Sequence, residues 1–283
     1  MIKAMGAAPP PRSSYNRIMR FIKYHALGND YLVFDPAAQE FTLTTAHIQR
    51  ICHRNFGIGS DGILVPQLQS ANFQLQIFNP DGSEAEKSGN GLRIFAHWLF
   101  DEGLVGADPF FVQTRGGQVC CRVLEGGQRV QVEMGQIVFE ALSANLNIAG
   151  LSNAHIVNIG NPHCVIFCEE VSGEAAKAFG PLIETHPRFP NRTNVQFVQV
   201  LNRQNIRLEI WERGAGYTLA SGSSSCAAAA VAVKLGLCDG QTPITAHMPG
   251  GALQIEIAPD FQACMTGPVT RIATVELAAE ALQ

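Results

Sequence analysis

Two stretches of this chain share one pattern, in which a turn rich in serine and glycine precedes residues that favour a helix. In the first, residues 88–91 (Ser-Gly-Asn-Gly) precede apolar residues spaced three and four apart within 92–99. In the second, residues 221–225 (Ser-Gly-Ser-Ser-Ser) precede the helix-forming run 227–234. Apolar residues at this spacing lie on one face of a helix. We therefore predict two helices, each beginning at the serine of its turn.

Further landmarks repeat in the same order at a separation of about 130 residues, which is far too long for a solenoid repeat. We therefore predict two similar α/β (α+β) domains from an internal duplication, with a ligand cleft between them. The repeated pairs are 75–79 with 208–212, 116–117 with 250–251, and 28–29 with 160–161.

The remaining pattern predicts the other elements and the domain limits. We expect short helices at 44–53, with a threonine cap, and at 174–179. Residues 1–18 are expected to be a disordered leader. The first domain then covers 19–133 and takes the last strand with 269–283, and the second covers 134–268. Strands are predicted at 72–78, 109–113, 118–123, 128–134, 155–159, 164–168, 206–211 and 270–276.

Composition excludes several classes of function. The 283 residues are 46% hydrophobic and 16% charged, and the net charge of −4 gives no support for a nucleic-acid or membrane partner. No apolar run reaches the roughly 18 residues of a membrane span. The eight cysteines form no C-x-x-C pair, so we expect reduced thiols in a cytoplasmic protein and no metal site. Residues 57–62 are rich in glycine but match no nucleotide-binding pattern.

Two helix starts that face one cleft suit a specific reaction. Their free N–H groups, around Gly89 and Asn90 and around Gly222 and Ser223, would hold one carboxylate between them. Ser88 and Ser221 would then lie on opposite faces of the carbon that bears this carboxylate. One residue removes the α-proton and the other delivers a proton from behind, while the helix dipoles stabilise the enediolate. Such a two-base racemase needs no pyridoxal or other cofactor, and its partner is a small amino acid. A homodimer is compatible with this sequence.

Six motifs are jointly specific, and through them the chain resembles diaminopimelate epimerase over essentially its whole length after the leader. The family has two like domains, each with a barrel-like, mostly antiparallel sheet around a central helix, which agrees with the duplication. The motifs are 25–30 (His-Ala-Leu-Gly-Asn-Asp), 78–83 (Phe-Asn-Pro-Asp-Gly-Ser), 88–91, 160–163 (Gly-Asn-Pro-His), Asn194 and 212–216 (Glu-Arg-Gly-Ala-Gly).

The resemblance implies interconversion of LL- and meso-diaminopimelate, a precursor of lysine and peptidoglycan. It suggests His163 as a partner base for one of the two serines. It also implies a set of residues that bind the far end of the substrate, whose polar and cationic mix suits an amino acid with a second amino-carboxylate end. These are Asn29, Asn79, Asn161, Asn194, Glu212 and Arg213.

The chain departs from the family at the two catalytic positions, where the family has cysteine and this sequence has Ser88 and Ser221. A thiol has a pKa of about 8.5, whereas a serine hydroxyl is far less acidic and needs a partner base. Tyr217 also stands where family members often carry glutamate. Three interpretations stay open: an epimerase with deliberately replaced cysteines, a natural branch that racemises, epimerises or dehydrates another amino acid, and a non-catalytic binder of amino acids.

Overall fold

The computed structural model describes residues 18–39, 41–69, 72–148, 151 and 153–282. The predicted leader lies outside these residues, except for Ile18 at the start of the first strand. No helix in the described ranges is both long and apolar enough to cross a membrane. The eight cysteines are free thiols.

The described part of the first half contains two α-helices, and each begins where the sequence predicts. The threonine cap of the first helix is Thr44, whose side chain accepts a hydrogen bond from the backbone N–H of His47. In order, the elements are β1 (Ile18–Ala26), β2 (Asn29–Val33), α1 (Thr45–Cys52), β3 (Ile63–Gln69), β4 (Asn72–Phe78), β5 (Glu84–Ala85), α2 (Gly89–Asp101), β6 (Phe110–Thr114), β7 (Gly117–Leu124) and β8 (Arg129–Gln136).

The second half repeats this order element for element, and a linking strand precedes it and another follows it. The linking strands are β9 (Val138–Ala144) and β18 (Thr270–Ala278). Between them lie β10 (Ala154–Asn158), β11 (Pro162–Phe167), α3 (Gly173–Glu184), β12 (Asn194–Asn202), β13 (Asn205–Glu212), β14 (Gly216–Thr218), α4 (Gly222–Lys234), β15 (Ile244–Met248), β16 (Gly251–Ile257) and β17 (Gln262–Pro268).

Strand pairing repeats as faithfully as the order of the elements. Parallel pairs join β2 to β3 and β4 to β6 in the first half, and β11 to β12 and β13 to β15 in the second. The remaining pairs within each half are antiparallel. The mixed, mostly antiparallel sheet and the internal duplication are therefore as predicted.

The linking strands exchange between the halves. β9 follows the first half in sequence but pairs with β10 of the second, and β18 follows the second half but pairs with β1 of the first. In addition, β8 pairs antiparallel with β17 across the halves. The predicted return of the last strand to the first half is confirmed. The division of the chain at 133 and 134 stays a prediction, and that point falls inside β8.

The two central helices lie in the apolar core, which is why their first turns are enclosed by protein. In α2 the buried residues run from Gly89 to Ala96, and α4 is buried from Ser224 to Ala232. Side chains of both helices belong to the same apolar cluster, which spans the two halves. The small alanine side chains of α4 let the surrounding strands approach this helix closely.

Candidate active site

Ser88 and Ser221 cap helices of equal length with nearly the same backbone geometry. Both α2 and α4 have 13 residues. Ser88 has φ −138° and ψ 118°, and Ser221 has φ −143° and ψ 124°. The first N–H groups of a helix have no partner within the helix, so each start presents free donors and a positive dipole end. Both predicted helix starts are confirmed.

The two helix starts also meet, although they lie 133 positions apart in the sequence. A β-carbon added to Gly222 would lie 3.7 Å from the α-carbon of Gly89 and 2.5 Å from the sulfur of Met265. One added to Gly89 would lie 2.6 Å from the terminal methyl of the same methionine. Glycine at these positions therefore allows the two helix N-termini to approach each other where the halves join.

The Ser88 hydroxyl has two partners. Its oxygen accepts a hydrogen bond from the backbone N–H of Gly91 at 3.0 Å, and the Tyr31 hydroxyl lies 3.3 Å away. Burial raises the pKa of Tyr31 to about 12, and the nearby Glu212 and Asp61 carboxylates also raise it, while the hydrogen bond to Ser88 lowers it. Tyr31 is therefore a neutral phenol at pH 7, in contact with the first candidate base.

The Ser221 side chain has a different environment. Ser221 is 3% exposed, and among the described residues its hydroxyl makes no capping hydrogen bond. Burial raises the pKa of Glu212, and the nearby Ser221 hydroxyl opposes this shift. The second candidate base thus lies near a carboxylate, and its backbone N–H contacts the sulfur of Met248 at 3.4 Å.

His163 is fully buried and neutral. Its Nε2 lies 3.0 Å from Oδ1 of Asn161, and Nε2 of Gln196 lies 3.0 Å from its Nδ1. The pKa of His163 is lowered to about 3, chiefly by burial and also by the positive charge of Arg213, while the hydrogen bond with Gln196 opposes the shift. The same Gln196 amide donates to the Ser224 hydroxyl in the first turn of α4 at 3.0 Å. These contacts join His163 to the second helix start, and neither candidate serine is among its hydrogen-bond partners in the described residues.

A chain of amide hydrogen bonds crosses from one half to the other at the helix starts. Asn90 donates to Oδ1 of Asn29 at 2.9 Å and to the carbonyl of Ala220, the residue before Ser221, at 3.2 Å. Asn29 in turn donates to the carboxylate of Asp61 at 2.9 Å. The chain fixes the first turn of α2 relative to the residue that precedes the second candidate base.

Arg93 anchors the same asparagine from inside the core. Its side chain is fully buried, and one of its terminal nitrogens donates to Oδ1 of Asn90. Burial lowers the pKa of Arg93 to about 10, and Nε and Nη1 have no hydrogen-bond partner among the described residues. A buried cation with so few partners depends strongly on each one that it has.

An ion-pair network lies beneath Asn29. Arg54 bridges Asp30 at 2.8 Å and Asp61 at 2.6 Å, and Lys23 contacts Asp30 at 2.8 Å. Asp61 lies in the glycine-rich stretch 57–62, which sequence reasoning set aside because it matched no nucleotide motif. Lys23, Asp30 and Arg54 border a surface depression of about 420 Å³, and neither candidate serine lines it.

Asn194 and Arg213 lie together near the end of β13, apart from the helix starts. Asn194 donates to the carbonyl of Pro162 at 2.9 Å and accepts from the backbone N–H of Arg213 at 3.0 Å. Asn79 instead donates to the hydroxyl of Ser83 within its own turn at 3.0 Å. Arg213 is exposed, and its side chain reaches the carbonyl of Asn191. Its guanidinium is thus accessible to a carboxylate.

Tyr217 takes no part in the site through its hydroxyl. The hydroxyl donates to the Glu209 carboxylate at 2.7 Å, and the Lys177 ammonium lies 4.5 Å from the centre of the ring. No group of three or more His, Cys, Asp and Glu side chains within the described ranges is arranged to hold a metal ion.

The sequence and the fold are both similar to those of known proteins. The sequence model of the family described as "Diaminopimelate epimerase" matches residues 21–140 and 155–272. A protein from Nostoc sp. named "Diaminopimelate epimerase 2" is 54% identical over 277 residues, which cover 93% of this chain and 96% of that protein. A diaminopimelate epimerase from Moorella thermoacetica is 40% identical over 273 residues, covering 90% and 97% of the two chains.

Solved structures share the fold at low sequence identity. A protein described as a predicted epimerase from Pseudomonas aeruginosa has a TM-score of 0.71 at 18% identity, covering 92% of this chain and 99% of its own. A hydroxyproline epimerase from Agrobacterium vitis, solved with bound trans-4-hydroxy-L-proline, has a TM-score of 0.69 at 14% identity and covers 94% of both chains. These likenesses establish the fold of the present chain.

Proposed function

This chain belongs to the diaminopimelate epimerase family, and from that premise we propose that it moves a proton across the α-carbon of diaminopimelate between Ser88 and Ser221. It is an isomerase that interconverts isomers of diaminopimelate in lysine biosynthesis. The proposal concerns which residues carry the reaction and how serine in place of cysteine affects its rate.

The observation that carries the proposal is the meeting of two equivalent helix starts at Gly89 and Gly222. Free N–H groups from both first turns are available to one α-carboxylate, and their dipoles favour the negative charge that develops when the α-proton leaves. The serine that precedes each glycine then faces the α-carbon from its own side. A reaction that inverts this carbon requires one acid–base group on each side.

The far end of the substrate is assigned to the group around β13. Arg213 is exposed and carries a planar cation that suits a carboxylate. Asn194 accepts a hydrogen bond from the backbone N–H of Arg213 at 3.0 Å. Asn194 is also the strand partner of His163, whose side chain contacts Asn161. Asn29 and Asn90, which link the two halves, complete the set nearer to the α-carbon.

Serine at both catalytic positions should slow turnover more than binding. A well-placed general acid or base contributes about 10²–10⁴ in rate, and the loss of thiolate character affects both faces of the α-carbon. The helix dipoles and the pocket do not depend on the thiols. We expect this chain to bind diaminopimelate and to epimerise it very slowly.

The test is deuterium uptake at the α-carbon of diaminopimelate in heavy water, followed by NMR for four proteins. These are the unchanged chain, Ser88→Cys, Ser221→Cys and the double variant. The double variant should restore exchange, and each single change should do much less because both an acid and a base are needed. Rapid exchange by the unchanged chain would contradict the expected rate. Absence of exchange by the double variant would show that diaminopimelate is not the substrate and would favour another amino acid.

A further inference from the structure

One hydroxyl beside the site has no role in the scheme above. Tyr31 is 6% exposed, and its ring packs in the apolar core while its hydroxyl lies 3.3 Å from the oxygen of Ser88. A hydroxyl oxygen accepts up to two hydrogen bonds and donates one. At Ser88 one lone pair is occupied by the N–H of Gly91. If the Tyr31 hydroxyl takes the other, the Ser88 proton is left free to point at the α-carbon.

We propose that Tyr31 is a proton-relay residue that acts on the substrate through Ser88. When this face delivers the proton, the O–H bond of Ser88 breaks as the C–H bond forms at the α-carbon. The Tyr31 proton moves to the oxygen of Ser88 in the same step, and the negative charge ends on the phenolate. In the reverse direction the phenolate takes the proton of Ser88 while Ser88 removes the α-proton. This inference rests on the proposed function.

A phenol is suited to this task because it bears the charge that a serine cannot. The ordinary pKa of tyrosine is about 10, far below that of an aliphatic hydroxyl. Burial raises the pKa of Tyr31 to about 12, and the Glu212 and Asp61 carboxylates and the Cys52 thiol act in the same direction. The phenol is therefore fully protonated at pH 7. It is ready to donate, and its use as a base should grow about tenfold per pH unit.

The chain supplies a matched control in Tyr24. Tyr24 is the direct cross-strand partner of Tyr31 in the pairing of β1 with β2, and it is also fully buried. Its hydroxyl donates to the Asp101 carboxylate at 2.9 Å. Tyr31→Phe and Tyr24→Phe each remove one buried hydroxyl from the same sheet, but only the first removes a contact to Ser88.

The experiment measures α-deuterium exchange of diaminopimelate for both tyrosine variants, each with Ser88 and with Ser88→Cys, in a Ser221→Cys background. With Ser88, Tyr31→Phe should lower kcat roughly 10–100-fold and leave KM within about twofold. Tyr24→Phe should leave both within about twofold. With Ser88→Cys, the effect of Tyr31→Phe should fall to about threefold or less, since a thiol ionises without help. Between pH 7 and 10, the direction that uses Ser88 as base should rise with pH only while Tyr31 is present.

Two results would overturn the relay. One is an equal loss for Tyr31→Phe with serine and with cysteine at position 88, which indicates a structural role. The other is no loss with either residue. The two proposals also fail in different experiments. If the protein with both Ser88→Cys and Ser221→Cys shows no exchange, the proposed substrate is wrong, whereas the tyrosine variants test only the relay.

The contact behind the relay has a test that needs no turnover. The Cζ signal of Tyr31 can be observed by NMR at neutral pH with ¹³C-labelled tyrosine and assigned by its loss in Tyr31→Phe. Ser88→Ala should shift this signal, because it removes the hydrogen-bond partner of the Tyr31 hydroxyl. An unchanged signal would show that the two hydroxyls do not interact and would overturn the proposal.

Discussion

The starts of α2 and α4 have the same backbone and different chemistry. Ser88 and Ser221 agree within about 6° in φ and ψ, a difference well inside the ordinary scatter of such angles. The Ser88 hydroxyl caps its helix and contacts a neutral phenol. The Ser221 hydroxyl makes no capping hydrogen bond among the described residues and lies near the Glu212 carboxylate instead. The duplication thus preserved the scaffold and let the two side-chain environments diverge.

Strand register shows how far that divergence goes. Leu32 pairs with Ile63 in the first half, and Cys164 pairs with Val195, each 132 positions later, in the second. On these strands the counterpart of Tyr31 is therefore His163. The tyrosine reaches the serine of its own half, whereas the histidine is tied to Gln196. A reaction that takes a proton on one face and gives one on the other needs one of its two groups protonated while the other is not.

The largest difference in stability should separate Asn90 from Ser223, the second residues of α2 and α4. Asn90→Ala removes the hydrogen-bond partner of the buried Arg93 guanidinium as well as the bonds to Asn29 and Ala220. We expect it to lower the free energy of unfolding in urea by about 3 kcal/mol. Ser223→Ala is the control and should change it by less than about 0.5 kcal/mol. Equal losses would mean that the two helix starts are supported in the same way.

The next largest expected effect is the loss of folding stability in acid that His163 causes. The folded-state pKa of His163 is about 3, below the ordinary value of about 6.5. The unfolded chain therefore binds more protons between these values, and stability is complete above pH 6.5 and falls as the pH is lowered. Between pH 7 and pH 4.5 this group should cost about 2–3 kcal/mol. Urea unfolding at both pH values should show that His163→Gln loses less stability than the unchanged chain. An identical loss of stability in both proteins would mean that a group other than His163 causes the acid sensitivity.

The smallest expected effect on stability is the loss of a helix cap, which a comparison of two capping serines separates from the loss of activity. Ser88 and Ser172 each accept a hydrogen bond from the third backbone N–H of their helix, at 3.0 and 3.2 Å. Replacement of either by alanine should cost about 1 kcal/mol in unfolding experiments. Only Ser88→Ala should also abolish the α-proton exchange of a Ser221→Cys protein. Loss of exchange in Ser172→Ala would mean that the assay reports helix stability.

The sequence revealed the helix starts because a turn of serine and glycine before spaced apolar residues has one strong structural meaning. It did not reveal β3 or β12 as strands. Both are paired on two sides, one of them parallel, and their first residues are buried on both faces. The first three residues of β3 form a continuous apolar run without alternation, as is typical of strands buried on both faces. In β12 the buried polar residues Asn194 and Gln196 interrupt the apolar residues.

The partner of each serine was equally hidden. Tyr31 lies 57 positions before Ser88, and only the pairing of β1, β2 and β3 brings its hydroxyl to the helix start. Asp61 likewise lies 32 positions after Asn29, and only the fold brings its carboxylate to the Asn29 amide. Local pattern predicts where a helix begins, but long-range strand register decides which side chains surround that point.

The exchanged strands set the order in which this molecule can be completed. Ile18 pairs with Ala278, so β1 receives this neighbour only after all the residues between them have been synthesised. Until then β1 is an open edge, which is the kind of surface that invites pairing between chains. Contacts between residues so far apart also slow folding, because a long loop must close before they form. The two helix starts come from different halves, so both faces of the α-carbon are assembled only when the halves meet.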